Sequence, residues 1–140
     1  MKTSLVRLIL CGILLTVSGA GCPSETQKMQ VFEGSYQEYS TSAFQAARVA
    51  KTPVFLFFYA TWCGHCQVQE PKYESLLSEA GGKIQGFRVN VDTEKELKQA
   101  YRVPFQTTAL FFDKDGVEVG RLVGEQPDET VREFIQKMLN

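Results

Sequence analysis

Cys63 and Cys66 stand three residues apart in Trp62-Cys63-Gly64-His65-Cys66, directly after the apolar run Val54 to Tyr59 and ahead of an amphipathic helical pattern. Two thiols at that spacing can do redox chemistry or bind a metal. In the redox case the leading cysteine starts a helix, where unpaired backbone N–H groups and the positive end of the dipole favour a thiolate over a thiol. Cys66 then follows one turn later, near enough to close a disulfide. In the metal case a structural zinc site needs four ligands. The chain has one His and four Cys, and the other two cysteines, Cys11 and Cys22, lie far upstream in a leader-like segment. The expectation is therefore a redox pair with no metal and no cofactor beyond its own sulfurs.

The surrounding pattern says how such a pair would be held. A short strand is predicted around Gln30 to Phe32. Ser42 with Gln45 three residues on has the form of a capping box for a first helix, in which Phe44, Ala47 and Ala50 make a small apolar face and Lys51-Thr52-Pro53 ends the run. Val54 to Tyr59 is apolar and aromatic throughout, as a central strand buried on both faces requires. The cysteines then sit at the carboxyl end of a central strand, where open α/β sheets place functional sites. A helix from Cys63 repeats Val68, Leu76, Leu77 and Ala80, with Pro71 inside it and Gly81-Gly82 as its stop. Phe87, Val89 and Val91 alternate as a strand, and Thr93 with Glu96 suggests a second capping box for a helix turning Leu97, Ala100 and Tyr101 inward. Thr108 to Phe112, Asp113-Lys114-Asp115-Gly116 and Val117 to Val123 read as a hairpin. Val131, Phe134, Ile135, Met138 and Leu139 give the apolar stripe of a last helix. The order is β-α-β-α-β-α-β-β-α.

Upstream, Lys2 and Arg7 precede the apolar run Leu8 to Val17, and small residues lead to Cys22, the form of a secretory leader. The run is shorter than the roughly 20 residues that span a bilayer. Gly19-Ala20-Gly21-Cys22 resembles the bacterial lipobox, which implies a lipid on Cys22 and anchoring to a membrane; the alternative is an ordinary cleaved leader with Cys22 an incidental thiol. Residues 1–21 are thus read as a signal peptide, 22–30 as a polar tether and 31–140 as one folded domain. Removing Lys2 and Arg7 from the 15 basic residues leaves 13 against 16 acidic, a net charge of −3. No basic patch asks for nucleic acid.

From Val31 to Asn140 the chain resembles the thioredoxin family. Beyond the cysteines, the resemblance rests on Phe58-Tyr59-Ala60-Thr61-Trp62-Cys63-Gly64-His65-Cys66, Pro71, Asn90-Val91-Asp92, Phe111-Phe112-Asp113-Lys114-Asp115-Gly116 and Val123-Gly124. It implies an α/β thioredoxin fold, a central mixed sheet flanked by helices, and thiol-disulfide exchange with protein substrates through a Cys63–Cys66 disulfide. Cys63 is then the nucleophile and Cys66 the resolving thiol. Cys-Gly-His-Cys is similar to the site of protein disulfide isomerase domains, and the leader to that of bacterial envelope thioredoxins. Together they imply an extracytoplasmic oxidoreductase recharged by a membrane or periplasmic redox partner. Gly64 and His65 lie between the cysteines, where residue identity tunes the thiols, His65 by adding positive charge, and Trp62 offers an apolar platform.

Two positions depart from the family pattern. Phe57 stands where many relatives place a buried carboxylate below the second cysteine, so the Cys66 proton needs another acceptor; Glu70 is a candidate, against the plainer reading of a solvated side chain. Slow resolution of the mixed disulfide is expected, and Phe57→Asp is expected to speed it. Counting back from Phe111-Phe112 places Thr107 at the family's cis-proline, where it becomes a candidate substrate contact. A cis bond there costs about 2.5–4 kcal/mol, so a trans bond or local strain is expected. These departures support another reading of the chain, a lipoprotein binding module that keeps the fold without turnover. The resemblance to membrane-tethered bacterial thioredoxins implies a further alternative, a dedicated reductant for cytochrome c maturation.

Overall fold

The computed structural model describes residues 36–140. The expected strand at Gln30 to Phe32, the leader, the tether and Cys22 lie outside the described residues. Nine elements follow in the expected order: β1 Tyr36–Glu38, α1 Thr41–Val49, β2 Val54–Tyr59, α2 Gly64–Ser78, β3 Gln85–Asn90, α3 Lys95–Ala100, β4 Thr108–Phe112, β5 Glu118–Val123 and α4 Asp128–Leu139. The strands form one mixed sheet in the order β1-β3-β2-β4-β5, with β1 and β2 parallel to β3 and the β2–β4 and β4–β5 pairs antiparallel. β2 is central, and all six of its residues are buried.

Register and ring contacts divide the core into two faces. Phe55 and Phe57 meet the Tyr73 ring of α2, each at 5.0 Å between centroids, and Phe111, opposite Phe55, meets Phe134 of α4 at 5.2 Å. The alternate residues point the other way. Phe87, paired with Leu56, packs on Phe44 of α1 at 6.1 Å, and Phe112, paired with Val54, packs on Tyr101 beside α3 at 5.3 Å. So α2 and α4 cover one face while α1 and α3 cover the other. The hairpin closes through Gly116, whose positive φ of 80° serves the turn that carries Asp113 to Val117.

Several local expectations are corrected. The first helix is capped two residues early: Ser40, not Ser42, accepts the Ala43 N–H at 3.2 Å. Thr93 forms no capping box, because its hydroxyl donates to the Asn90 carbonyl and α3 starts after Glu94 with no side-chain cap. Ala100 is exposed, as is Val68, which is 52% accessible on the outer side of α2. The buried side of α2 uses Gln69 and Tyr73 with Leu76 and Leu77. A stripe read from apolar residues alone misplaces such a helix, since its inward positions include an amide and a phenol.

Candidate active site

β2 delivers the chain to the carboxyl edge of the sheet, where the Cys63 N–H donates to the Ala60 carbonyl at 3.1 Å and the backbone turns into α2. Cys63 is the N-cap of that helix, in extended backbone geometry, and its Sγ accepts the Cys66 N–H at 3.2 Å. A cap is ordinarily an oxygen of Ser, Thr, Asp or Asn. Here a sulfur takes that place, so a thiolate on Cys63 receives a charge-assisted hydrogen bond at the positive end of a helix. Cys63 and Cys66 are joined as a disulfide with their Cα atoms 5.3 Å apart. Both are buried, Cys63 to 5% exposure and Cys66 to 1%.

Thr107 closes the other side of the pair. Its Oγ1 lies 3.3 Å from Cys63 Sγ and 3.1 Å from Cys66 Sγ, and the residue is 4% exposed. No cis peptide bond occurs among the described residues, so the Gln106–Thr107 bond is trans; the departure from ordinary geometry is instead a φ of 57° at Thr107. A β-branched residue in the left-handed region costs on the order of 1–3 kcal/mol and persists where its surroundings hold it. Its carbonyl accepts the Gly124 N–H at 2.8 Å, and the Thr108 hydroxyl beside it donates to the Phe105 carbonyl at 2.8 Å.

The remaining expected site residues spread around the rim. Trp62 is 65% exposed and donates its indole N–H to Asp92 Oδ2 at 2.9 Å. His65 places Nδ1 2.5 Å from Glu125 Oε1 with both side chains well exposed, so a carboxylate stands beside the charge that His65 would bring to the site. Gly64 is the first residue of α2, with open space around it. Phe57 is fully buried under α2 against Tyr73, an apolar side chain that offers no proton acceptor.

Glu70 is neither solvated nor turned to the sulfurs. It accepts the Tyr36 hydroxyl at 3.2 Å and pairs with Arg88 at 3.1 Å, and Arg88 also reaches Glu38 at 2.9 Å while lying 4.3 Å over the Tyr59 ring. Burial raises the Glu70 carboxyl above its usual range despite Arg88, and burial likewise raises the Tyr36 hydroxyl. Its partners all lie on β1 and β3. Among the described residues no group of three or more His, Cys, Asp or Glu is gathered for a metal.

Asp92, Glu125 and Phe105 were not read as site residues from sequence. Pairing could have found the first two. Parallel register sets Tyr59 beside Asn90, which brings Asp92 level with the turn after β2, and antiparallel register sets Val123 beside Thr108, which brings the loop after β5 to the same edge. Phe105, 63% exposed two residues before Thr107, carried no such signal.

Compared with known proteins, residues 35–137 match the thioredoxin family model. A thioredoxin of Staphylococcus aureus is 37% identical over 82 residues, covering 59% of this chain and 78% of the relative. A chloroplastic M-type thioredoxin of Pisum sativum is 32% identical over 90 residues, 64% of this chain and 52% of the relative. The chain thus spans about half the length of that plant relative and of the mitochondrial thioredoxin of Mus musculus, at 54%. Among solved structures, Trxlp from Edwardsiella tarda superposes with a TM-score of 0.65 at 32% identity, over 71% of this chain and 96% of that one. The thioredoxin Mala s 13 of Malassezia sympodialis gives 0.63 at 27% identity, over 74% and 90%.

Proposed function

Because this chain belongs to the thioredoxin family, whose model spans residues 35–137, we propose that it is a thiol-disulfide oxidoreductase acting on protein disulfides, with Cys63 as nucleophile and Cys66 as resolving thiol. The observation that carries the reading is the Cys63–Cys66 disulfide seated at the front of α2, with the Cys66 N–H on Cys63 Sγ. In the reducing direction, the Cys63 thiolate attacks one sulfur of a substrate disulfide. A mixed disulfide forms and the other substrate sulfur leaves as a thiolate. Cys66 then attacks Cys63 Sγ, closes the internal disulfide and frees the second substrate sulfur. The substrate gains two electrons and the pair loses two; the reverse sequence oxidises a substrate dithiol. The partner that recharges the pair sets the direction.

The rim assigns supporting roles. Trp62, pinned by Asp92, offers an apolar surface beside the sulfurs, and Phe105 is exposed two residues before Thr107. The backbone beside Thr107 borders the same opening as a substrate contact. A protonated His65 would bring positive charge near the thiolate, and Glu125, 2.5 Å from its Nδ1, would offset part of it. Location rests on sequence alone. Lys2, Arg7, the apolar run Leu8 to Val17 and Gly19-Ala20-Gly21-Cys22 support an envelope protein with a lipid on Cys22 and a recharging partner at the same membrane.

The test is reduction of insulin by dithiothreitol, with wild-type protein and with Cys63→Ala. Catalysis by the wild type and none by the variant is expected; an inert wild type returns the chain to a binding module. Cys66→Ala, expressed in its own envelope, should hold substrates as mixed disulfides through Cys63.

A further inference from the structure

Building on that exchange reading, we propose that the Thr107 hydroxyl is a catalytic group of this site. It donates to the Cys63 thiolate in the reduced pair and takes the Cys66 proton when the mixed disulfide is resolved. Neither sulfur of a disulfide bears a hydrogen, so any hydrogen bond here is donated by the Thr107 hydroxyl, whose one hydrogen serves one sulfur at a time, at 3.3 Å to Cys63 Sγ or 3.1 Å to Cys66 Sγ. Its oxygen sits astride the two reacting atoms. Among the described residues it is the only side chain with a polar atom in hydrogen-bonding reach of either sulfur. Phe57, on β2 against Tyr73 of α2, is apolar, and Glu70 is turned to Tyr36 and Arg88. At 4% exposure Thr107 meets little competing water.

The backbone supports the same assignment. A φ of 57° is costly for a β-branched residue, and costly conformations of this kind cluster where a site needs them. The Gly124 N–H holds the Thr107 carbonyl at 2.8 Å, which fixes the backbone from which the hydroxyl projects.

The proton and electron account closes on groups already named. With the Cys66 N–H at 3.2 Å as first donor, the hydroxyl gives the Cys63 thiolate a second. During resolution Cys66 attacks Cys63 Sγ, and its proton passes to Thr107 Oγ1. The hydroxyl's own hydrogen passes to the substrate thiolate that departs from Cys63 Sγ. The Cys63–Cys66 bond forms, the bond to substrate breaks, and Thr107 ends as it began.

Three variants of the full chain test this: Thr107→Val, which keeps the shape without the hydroxyl; Thr107→Gly, which suits the positive φ and also lacks it; and Thr107→Ser, which retains it. Insulin reduction by the wild type comes first, because an inert wild type removes the exchange reading itself. The pH profile of Cys63 alkylation by iodoacetamide should then shift up by about one unit in the Val and Gly variants, roughly tenfold less thiolate below both midpoints. Their reduction potential should fall by up to about 30 mV, the same factor for a two-electron couple. Release from a preformed mixed disulfide should slow by at least about a hundredfold, the low end of what a positioned acid–base group contributes. Thr107→Ser should match the wild type in all three. An active wild type with Gly or Val variants that keep its alkylation profile and release rate overturns the proposal. Loss in the Ser variant equal to that in Val overturns it too.

Discussion

Replacing Phe57 separates its packing role from any role in proton transfer. The side chain is fully buried in the central strand, its ring 5.0 Å from Tyr73 of α2 and stacked 6.5 Å from Tyr59. Truncating a phenylalanine so enclosed costs about 3–5 kcal/mol, transfer and cavity together. For a domain of this size, at about 4–8 °C per kcal/mol, Phe57→Ala should melt at least about 12 °C below wild type. Phe57→Asp leaves the same space and adds an acid with no partner nearby. Burial should raise that carboxyl's folded pKa above its unfolded value, so the stability it contributes is present at acid pH and is lost as the pH rises through the raised value. Relative to Phe57→Ala, the Asp variant should therefore weaken from pH 5 to pH 7. Urea unfolding followed by far-ultraviolet circular dichroism at the two pH values measures this. A loss under 1 kcal/mol in Phe57→Ala, or an Asp variant that gains on Ala as the pH rises, refutes the packing account. Turnover per folded molecule then decides the chemistry. The absence of an acid at position 57 alone predicts faster resolution in Phe57→Asp, whereas a working Thr107 predicts no gain.

Two further outcomes follow from the fold. The Glu70 carboxyl is raised above its ordinary range chiefly by burial, against the pull of Arg88; the folded protein therefore holds that proton more tightly, and its contribution fades as the pH rises through the raised pKa. Urea unfolding of Glu70→Gln between pH 4.5 and 7 should show the variant gaining on wild type as the pH rises, and a difference moving the other way would make the Arg88 pairing dominant. At Gly120, an added Cβ would fall 1.9 Å from Cε1 of Phe134, whose ring packs on Phe111 at 5.2 Å. Gly120→Ala should cost about 1–3 kcal/mol by overpacking, and most of that cost should vanish in a Phe134→Ala background; thermal melts that add independently contradict the contact.

The fold was legible because its strongest signals are local. Six consecutive apolar residues ahead of the cysteines fit a central strand buried on both faces, and Asp113 to Gly116 fit a tight turn. What failed was partner choice. Ser40 and Ser42 are both competent caps, and the backbone selected the earlier one. The apolar pattern put Val68 in the core and passed over Gln69, yet Gln69 is buried with its Oε1 accepting the Gln126 N–H at 2.9 Å, a contact 57 positions away that periodicity does not contain. At the site, Cys63, Cys66 and the placement of Thr107 were readable from spacing and resemblance. The left-handed backbone at Thr107 was not, since nothing in threonine's local preference favours it. Nor were Asp92 and Glu125 as partners of Trp62 and His65, which strand register alone brings to one edge.

The account's central claim is that Cys63 and Cys66 exchange two electrons reversibly, with the thiolate held at the front of α2. Its most direct measurement is titration of the purified protein through a glutathione redox buffer, trapping free thiols by alkylation and weighing the peptide that carries both cysteines. A single cooperative two-electron transition is expected, with Cys63 alkylating well below the free-cysteine midpoint of about 8.5. A pair that stays fully reduced or fully oxidised across the buffer range, or a Cys63 that titrates like a free cysteine, contradicts it.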